Sequence, residues 1–437
     1  MRVALGASLL ASLCFGCGRL GFDAVGDASL RDGSTLGDGG ADASHADPDA
    51  SVVSPRFDVV FSADTNLSFV NTGDRTCPEG GDMVSYSVTE LTTRRAVLST
   101  SPGPGCLATG DEVLLINLQG TASSSANVGH FELLRIESAT GSEVRFMASK
   151  QKLYGAAADD SQIGTAQSQQ RVMLMRVPRY GDVLVESGAR LIARTWDGAF
   201  GGVLAMRVLG TLRLDGNIDV TGLGYQGGSP TALPSTTGAQ GESIRGLGAA
   251  SMQPNAGGGG GGLGDGMGCR QSGSPGGGGG HGSVGIAGSV PDCSGIGGGR
   301  AGASVGDVSR LLLGSGGGAG GTDNLLTDNP PGGAGGRGGG VALIMANRLI
   351  GAGSVRSTGA PGQGDAPGLE CSGGDAESCW DHSGPGGGGA GGSVWLEASS
   401  VDDTITISVS GGAGGNGNDA LSGNGGAGAA GRVRRTP

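Results

Sequence analysis

Apolar and polar positions along the chain group into short, strand-like runs and show no lasting helical stripe. Between about Phe57 and Ala193, β-branched and apolar clusters recur between turn signals. They include Val59-Val60-Phe61, Val113-Leu114-Leu115-Ile116, Phe131-Glu132-Leu133-Leu134-Arg135-Ile136 and Val144-Arg145-Phe146. Val172-Met173-Leu174-Met175, Val183-Leu184-Val185 and Ala189-Arg190-Leu191-Ile192-Ala193 follow. Ala139-Thr140-Gly141-Ser142 reads as a hairpin turn. Residues 56–195 are therefore expected to form a small β domain, a barrel or a sandwich.

From Gly201 a block recurs. Gly201-Gly202 opens Val203-Leu204-Ala205-Met206-Arg207-Val208, then Leu212-Arg213-Leu214 and Ile218-Asp219-Val220. Gly339-Gly340 opens Val341-Ala342-Leu343-Ile344-Met345-Ala346, then Leu349-Ile350 and Ser354-Val355-Arg356. Gly391-Gly392 opens Ser393-Val394-Trp395-Leu396-Glu397-Ala398, then Ile405-Thr406-Ile407-Ser408-Val409. A short strand cannot bury its apolar face alone, but stacked copies bury a continuous core, which is the logic of a β-solenoid. Residues 196–437 are expected to be such a domain, with Leu311-Leu312-Leu313 as a candidate degenerate copy.

The copies start at residues 201, 339 and 391, so their spacing is uneven. Glycine tracts fill the intervals, at 257–262, 276–280, 316–318 and 386–389. These are expected as insertions on one side of the stack. Lacking Cβ atoms, they can pack as polyproline-II-like chains at close approach. The fold class is thus all-β: a small barrel or sandwich, then a short β-solenoid with polyproline-II-like glycine loops.

Composition narrows the classes further. Glycine supplies 97 of 437 residues, roughly three times its average usage. That excludes helical bundles, because each glycine inside a helix costs about 1 kcal/mol relative to alanine. The glycines lack a strict three-residue period, which excludes collagen. The net charge of −12 argues against nucleic acid as a partner.

The N-terminus reads as an export signal. Met1-Arg2 precedes a short apolar run over residues 3–15. Leu13-Cys14-Phe15-Gly16-Cys17 resembles a bacterial lipobox, with Gly16 before Cys17 as the lipidated residue. Residues 1–16 are expected to be a signal peptide, and 17–55 a lipidated Cys17 with an Asp/Ala/Gly tether. Seven Asp against Arg19 and Arg31 in the tether offer no apolar period, the pattern of a disordered spacer. The acyl chains would hold the protein to a membrane.

Six further cysteines admit several pairings. Locality and export favour Cys77 with Cys106, Cys269 with Cys293, and Cys371 with Cys379. No CxxC occurs among these six, and His281 and His382 stand apart, so no metal site is expected.

Catalytic motifs are absent in context. Gly302-Ala303-Ser304-Val305-Gly306 matches a nucleophile elbow but lacks the strand–turn–helix setting. Residues 414–422 match one calcium nonapeptide, GGxGxDxUx, where calcium binding needs tandem copies. No cofactor is expected, and calcium enters only through that repeat. Asp215 and Asp219 with Arg207 or Arg213 are the nearest approach to a polysaccharide-cleaving cluster.

Cys17-Gly18-Arg19-Leu20-Gly21-Phe22-Asp23 and the tether resemble the start of myxobacterial-type lipoproteins. The block from Gly110-Asp111-Glu112-Val113-Leu114-Leu115-Ile116 through Trp196-Asp197-Gly198 into the repeats resembles large glycine-rich bacterial surface proteins, some linked to adhesion or gliding. The glycine tracts also resemble the glycine-rich extracellular domain of anaplastic-lymphoma-kinase-type receptors. These resemblances imply a lipid-anchored protein of the outer membrane or cell surface. Its expected role is structural or adhesive without catalysis, with glycans or surface proteins as partners. The competing expectation is a polysaccharide-active β-helix enzyme, a lyase or hydrolase, which requires a cleft with converging carboxylates.

Overall fold

The computed structural model describes residues 58–73, 75–231, 233, 235–264, 273–289, 297–306, 308–322, 331–365, 383–417 and 423–437. The signal peptide, Cys17 and the tether lie outside these residues, as do Cys269, Cys293, Cys371 and Cys379. All regular structure among the described residues is β.

In chain order the strands are β1 (Val59–Phe61), β2 (Thr65–Asn66), β3 (Ser85–Leu91), β4 (Arg95–Leu98), β5 (Glu112–Gln119) and β6 (Phe131–Thr140). Next come β7 (Glu143–Phe146), β8 (Arg171–Arg176), β9 (Arg179–Tyr180), β10 (Val183–Val185), β11 (Arg190–Ile192) and β12 (Val203–Leu214). The last six are β13 (Asn217–Asp219), β14 (Val341–Ile350), β15 (Ser354–Arg356), β16 (Ser393–Val401), β17 (Thr406–Ser408) and β18 (Arg432–Thr436).

Strands β3 to β8 close an antiparallel barrel in the order β3-β4-β7-β6-β5-β8. The remaining strands form two parallel sheets. One runs β1-β10-β12-β14-β16-β18, with β9 also pairing β12; the other runs β17-β15-β13-β11-β2. Each of five successive rungs contributes one strand to each sheet, as a β-solenoid requires, and β18 adds a sixth strand to the first sheet. The repeats stack as their sequences align: Val203 pairs with Val341, Val341 with Ser393, and Ser393 with Arg432.

Two rungs precede the first sequence copy. Strands β1, β2, β10 and β11 come from within residues 56–195, yet they join the solenoid sheets and leave the barrel to 85–176. Leu311-Leu312-Leu313 adds no strand; its side chains are buried at the start of a glycine tract.

The barrel sits against the larger parallel sheet, and this explains the unbroken apolar runs. Within β5 and β8, Val113, Leu115, Val172 and Leu174 fill the barrel interior. Their neighbours Leu114, Ile116, Met173 and Met175 join the solenoid core with Val203, Ala205 and Leu343. Strands buried on both faces read as continuous hydrophobic segments. The wall of the solenoid is therefore a covered layer.

The glycine tracts build the third part of the fold. Along 316–321, successive N–H groups reach three different chains, then repeat. Gly316 and Ala319 donate to Glu242 and Ala239, Gly317 and Gly320 to Gly336 and Gly333, and Gly318 and Gly321 to Gly277 and Ser274. The same threefold order runs along 384–392. There Gly384, Gly387 and Ala390 donate to Gly321, Gly318 and Ser315, while Gly386 and Gly389 donate to Gln363 and Ala360. A three-residue turn is the polyproline-II period, and here its backbone groups are satisfied laterally. A Cβ on Gly318 would lie 1.9 Å from the Gly260 carbonyl oxygen. The bundle is a core made of backbone, which only glycine-rich chains can assemble.

Candidate functional site

The chain leaves the barrel at Arg176 and enters the solenoid at β9 through Val177-Pro178. A cleft of about 430 Å³ opens at this crossing. Asp82, Asp111, Glu112, Arg75 and Arg176 line it from the barrel side, and Asp58, Arg179 and Tyr180 from the solenoid side.

Its polar groups are held rigidly. The buried Arg176 guanidinium donates to the carbonyls of Gly81, Asp82, Gly105 and Cys106 at 2.8–3.1 Å. Burial pulls its pKa below the usual guanidinium value. Arg75 grips Asp111 with two hydrogen bonds, 2.5 and 2.7 Å, and donates its Nε–H to the Gly105 carbonyl at 2.6 Å. The Cys77–Cys106 disulfide ties together the segments that carry these contacts. Asp82 accepts a hydrogen bond from the Tyr180 hydroxyl at 2.8 Å and others from Thr72. Burial, and then the Asp82 charge, push the Tyr180 phenol well above its ordinary value, so it stays protonated.

Glu112 and Arg207 form a two-point ion pair at 2.7 and 2.8 Å. Glu112 is on the barrel strand β5 and Arg207 on the solenoid strand β12, so the pair bridges the two parts. The hydrogen bond from Arg207 is the main reason its pKa is raised. Asp58 accepts the Asp182 backbone N–H at 3.0 Å. Its carboxylate lies over Gly181, where an added Cβ would fall 1.7 Å from Oδ2 and push the carboxylate aside. Arg179 is exposed and has no side-chain partner among the described residues.

A second hollow of about 220 Å³ lies beyond the Glu112–Arg207 pair, lined by Arg207, Met345, Asn347, Glu397 and Ser399. The two hollows follow one register row. Arg179 pairs with Arg207, Arg207 with Met345, Met345 with Glu397, and Glu397 with Thr436. Neighbouring strands lie about 4.8 Å apart, so the row spans roughly 19 Å across the rungs. The row carries the charged Arg179, Arg207 and Glu397, and the buried Met345 separates the last two.

No protein-family model matches the chain, and no curated protein matches it. Two solved structures share partial similarity. The tailspike protein gp49 from Pseudomonas phage LKA1 matches 32% of this chain and 24% of its own, with 13% identity and a TM-score of 0.14. The Pseudomonas phage phi297 tailspike gp61 matches 36% and 26%, with 16% identity and a TM-score of 0.15. This chain thus spans about a quarter of the length of each tailspike.

The acids and bases singled out in the first repeat do not assemble. Arg207 faces Glu112, Arg213 pairs with Asp215 at 2.8 Å on the surface, and Asp219 accepts the Thr221 N–H at 2.9 Å. Ser304 is exposed in a strand-free glycine segment with no helix after it. The nonapeptide at 414–422 lies partly outside the described residues. Among the described residues, no group of three or more His, Cys, Asp or Glu is placed to hold a metal. Arg75, Asp111, Glu112 and Arg179 were not legible as a site, because no motif links positions so far apart in the chain.

Proposed function

We propose that the protein is a lipid-anchored cell-surface protein of structural or adhesive role. In this reading Cys17 fixes it to the membrane, and the barrel and solenoid present the charged cleft at their crossing to a polar ligand, a glycan strand or a surface protein. The cleft itself carries the reading. The Arg75–Asp111 and Glu112–Arg207 ion pairs fix its polar lining, and the exposed Arg179 stands at it without a side-chain partner among the described residues. Pre-set polar groups bind without an ordering cost. The glycine bundle supports the same role, since a backbone core gives stiffness.

A polysaccharide-active enzyme is the second reading, favoured by the four carboxylates that line the first hollow. General acid–base work needs a carboxyl free to exchange protons with substrate. Asp82, Asp111 and Glu112 are each engaged by a hydroxyl or a guanidinium, which favours binding over turnover. A glycan array followed by a depolymerisation screen on the bound glycans separates the two. Retention without shortening, weakened by Arg179→Ala, supports the adhesive role. Shortened products support the enzyme, and no retention of any glycan overturns the glycan-binding reading. Mass spectrometry of the N-terminus tests the anchor: an unmodified start downstream of Cys17 removes it.

A further inference from the structure

Only two of the 28 basic residues are lysines, Lys150 and Lys152, and Lys150 is buried. Arginine is the usual cation for a buried carboxylate, because its fork satisfies both oxygens. This chain uses arginine nearly everywhere else, at the equally buried Arg171 and Arg176 among other places, so an amine at Lys150 calls for an amine's chemistry.

Lys150 lies in the strand-free segment after β7, and its Nζ is 2.5 Å from Asp160 Oδ2. The two side chains are 5% and 17% exposed. Lys150 Nζ also donates to the Lys152 carbonyl at 2.9 Å, which leaves its remaining face toward Asp160. The Tyr154 backbone N–H donates to Asp160 Oδ1 at 2.9 Å. The buried Tyr154 ring stands beside the amine, 5.7 Å from Nζ to the ring centre.

We propose that Lys150 and Asp160 are joined by an intramolecular isopeptide bond that the folded barrel forms unaided. In the first step a proton passes from Nζ to Oδ2 across their contact and leaves an amine facing a carboxylic acid. The nitrogen lone pair attacks Cγ, and the carbonyl electrons move onto Oδ1. The Tyr154 N–H already points at Oδ1 and stabilises the developing oxyanion. The carbonyl then reforms, the Cγ–Oδ2 bond breaks, and the oxygen departs as water with a proton from the nitrogen. One N–C bond forms, one C–O bond breaks, and no oxidant, reductant or co-reactant takes part. The product ties the segment carrying Lys150 to the loop carrying Asp160, where no strand pairing holds them.

Trypsin digestion and mass spectrometry of the purified full chain decide this. The bond after Lys150 is expected to resist cleavage. Peptide 146–152 should appear joined to peptide 153–171, lighter than their sum by one water, about 18 Da. Lys150→Arg and Asp160→Ala should each give the separate peptides at full mass. Wild-type peptide 146–150 released beside an unmodified 153–171 overturns the proposal. A dehydrated 153–171 peptide with normal cleavage after Lys150 also overturns it, because that marks an aspartyl succinimide. The wild-type digest is decisive even where a variant fails to fold.

Discussion

The indole N–H of Trp196 donates to the Glu242 carboxylate at 3.0 Å in the interior of the protein. The same carboxylate accepts the Gln119 side-chain amide at 2.9 Å and the Gln226 backbone N–H at 2.8 Å. Gln119 ends a barrel strand, Trp196 lies between solenoid strands β11 and β12, and Gln226 leads into the glycine bundle. One buried anion therefore joins all three parts. Glu242→Ala leaves several buried donors without an acceptor and is expected to cost about 3 kcal/mol. Glu242→Gln keeps the shape and one acceptor and should cost about half as much. Urea unfolding followed by tryptophan fluorescence measures both, and equal midpoints for the wild type and the alanine variant would remove this joint.

The glycine bundle makes a sharper demand on single positions. Gly318→Ala places a methyl 1.9 Å from the Gly260 oxygen, and Gly387→Ala places one 2.1 Å from the Gly277 oxygen. Backbone cannot step aside as a side chain can, so each change should destabilise by at least about 2 kcal/mol. Gly297 has no atom within 4 Å of an added Cβ, and Gly297→Ala is expected to stay within about 0.5 kcal/mol of the wild type. Amide hydrogen exchange provides a second test: the N–H groups of 316–321 should exchange as slowly as those of β12 and β14. Fast exchange in these tracts would show that they are loops and not a core.

The repeats were legible because side-chain pattern and rung register coincide: Val203, Val341 and Ser393 each follow a Gly-Gly pair and stack directly. The glycine tracts were legible as closely packed chains for the same steric reason that now places carbonyl oxygens where Cβ atoms would be. The opening rungs were not legible as solenoid. β2 has two residues and β10 and β11 three each, too few for a period to separate solenoid from barrel. Nor was the covered face of the large sheet, since the run over 203–206 reads alike whether its second side meets solvent or a barrel. The cleft was the least legible. Arg75 with Asp111 and Glu112 with Arg207 are partners across long stretches of chain, and their meeting depends on the completed fold.

The Cys77–Cys106 bond closes a separation of 29 residues and sits beside the Arg75 and Arg176 contacts to the Gly105 carbonyl. Chain entropy alone gives such a bond about 3 kcal/mol. Replacing both cysteines with serine should lower the unfolding midpoint by that order. It should also loosen the Arg75–Asp111 clamp, so glycan retention should fall further than the loss of stability explains. Comparing binding of the wild type and the double variant well below both midpoints isolates the local effect; identical binding would show that the clamp stands without the disulfide.

His281 is expected to make the fold sensitive to acid. It is fully buried where the 276–281 tract meets the solenoid, and its Nε2 faces the Leu312 carbonyl at 3.2 Å and the Ser393 hydroxyl at 3.4 Å. Its Nδ1 has no hydrogen-bond partner among the described residues. Burial is the main cause that lowers its pKa to about 4; the Leu312 hydrogen bond opposes this and the Arg432 charge adds to it. The ordinary imidazole value is about 6.5. Between the two values the unfolded chain binds the proton and the folded chain does not, so stability rises with pH across that window. The contribution is complete above pH about 6.5, falls as the pH drops, and is lost by about pH 4, an effect on the order of 3 kcal/mol. Urea midpoints measured from pH 7 to pH 4 should trace this slope in the wild type. His281→Gln offers no proton site and should flatten it in this window, with a lower midpoint at pH 7. A variant that keeps the full slope would clear His281 of the acid sensitivity.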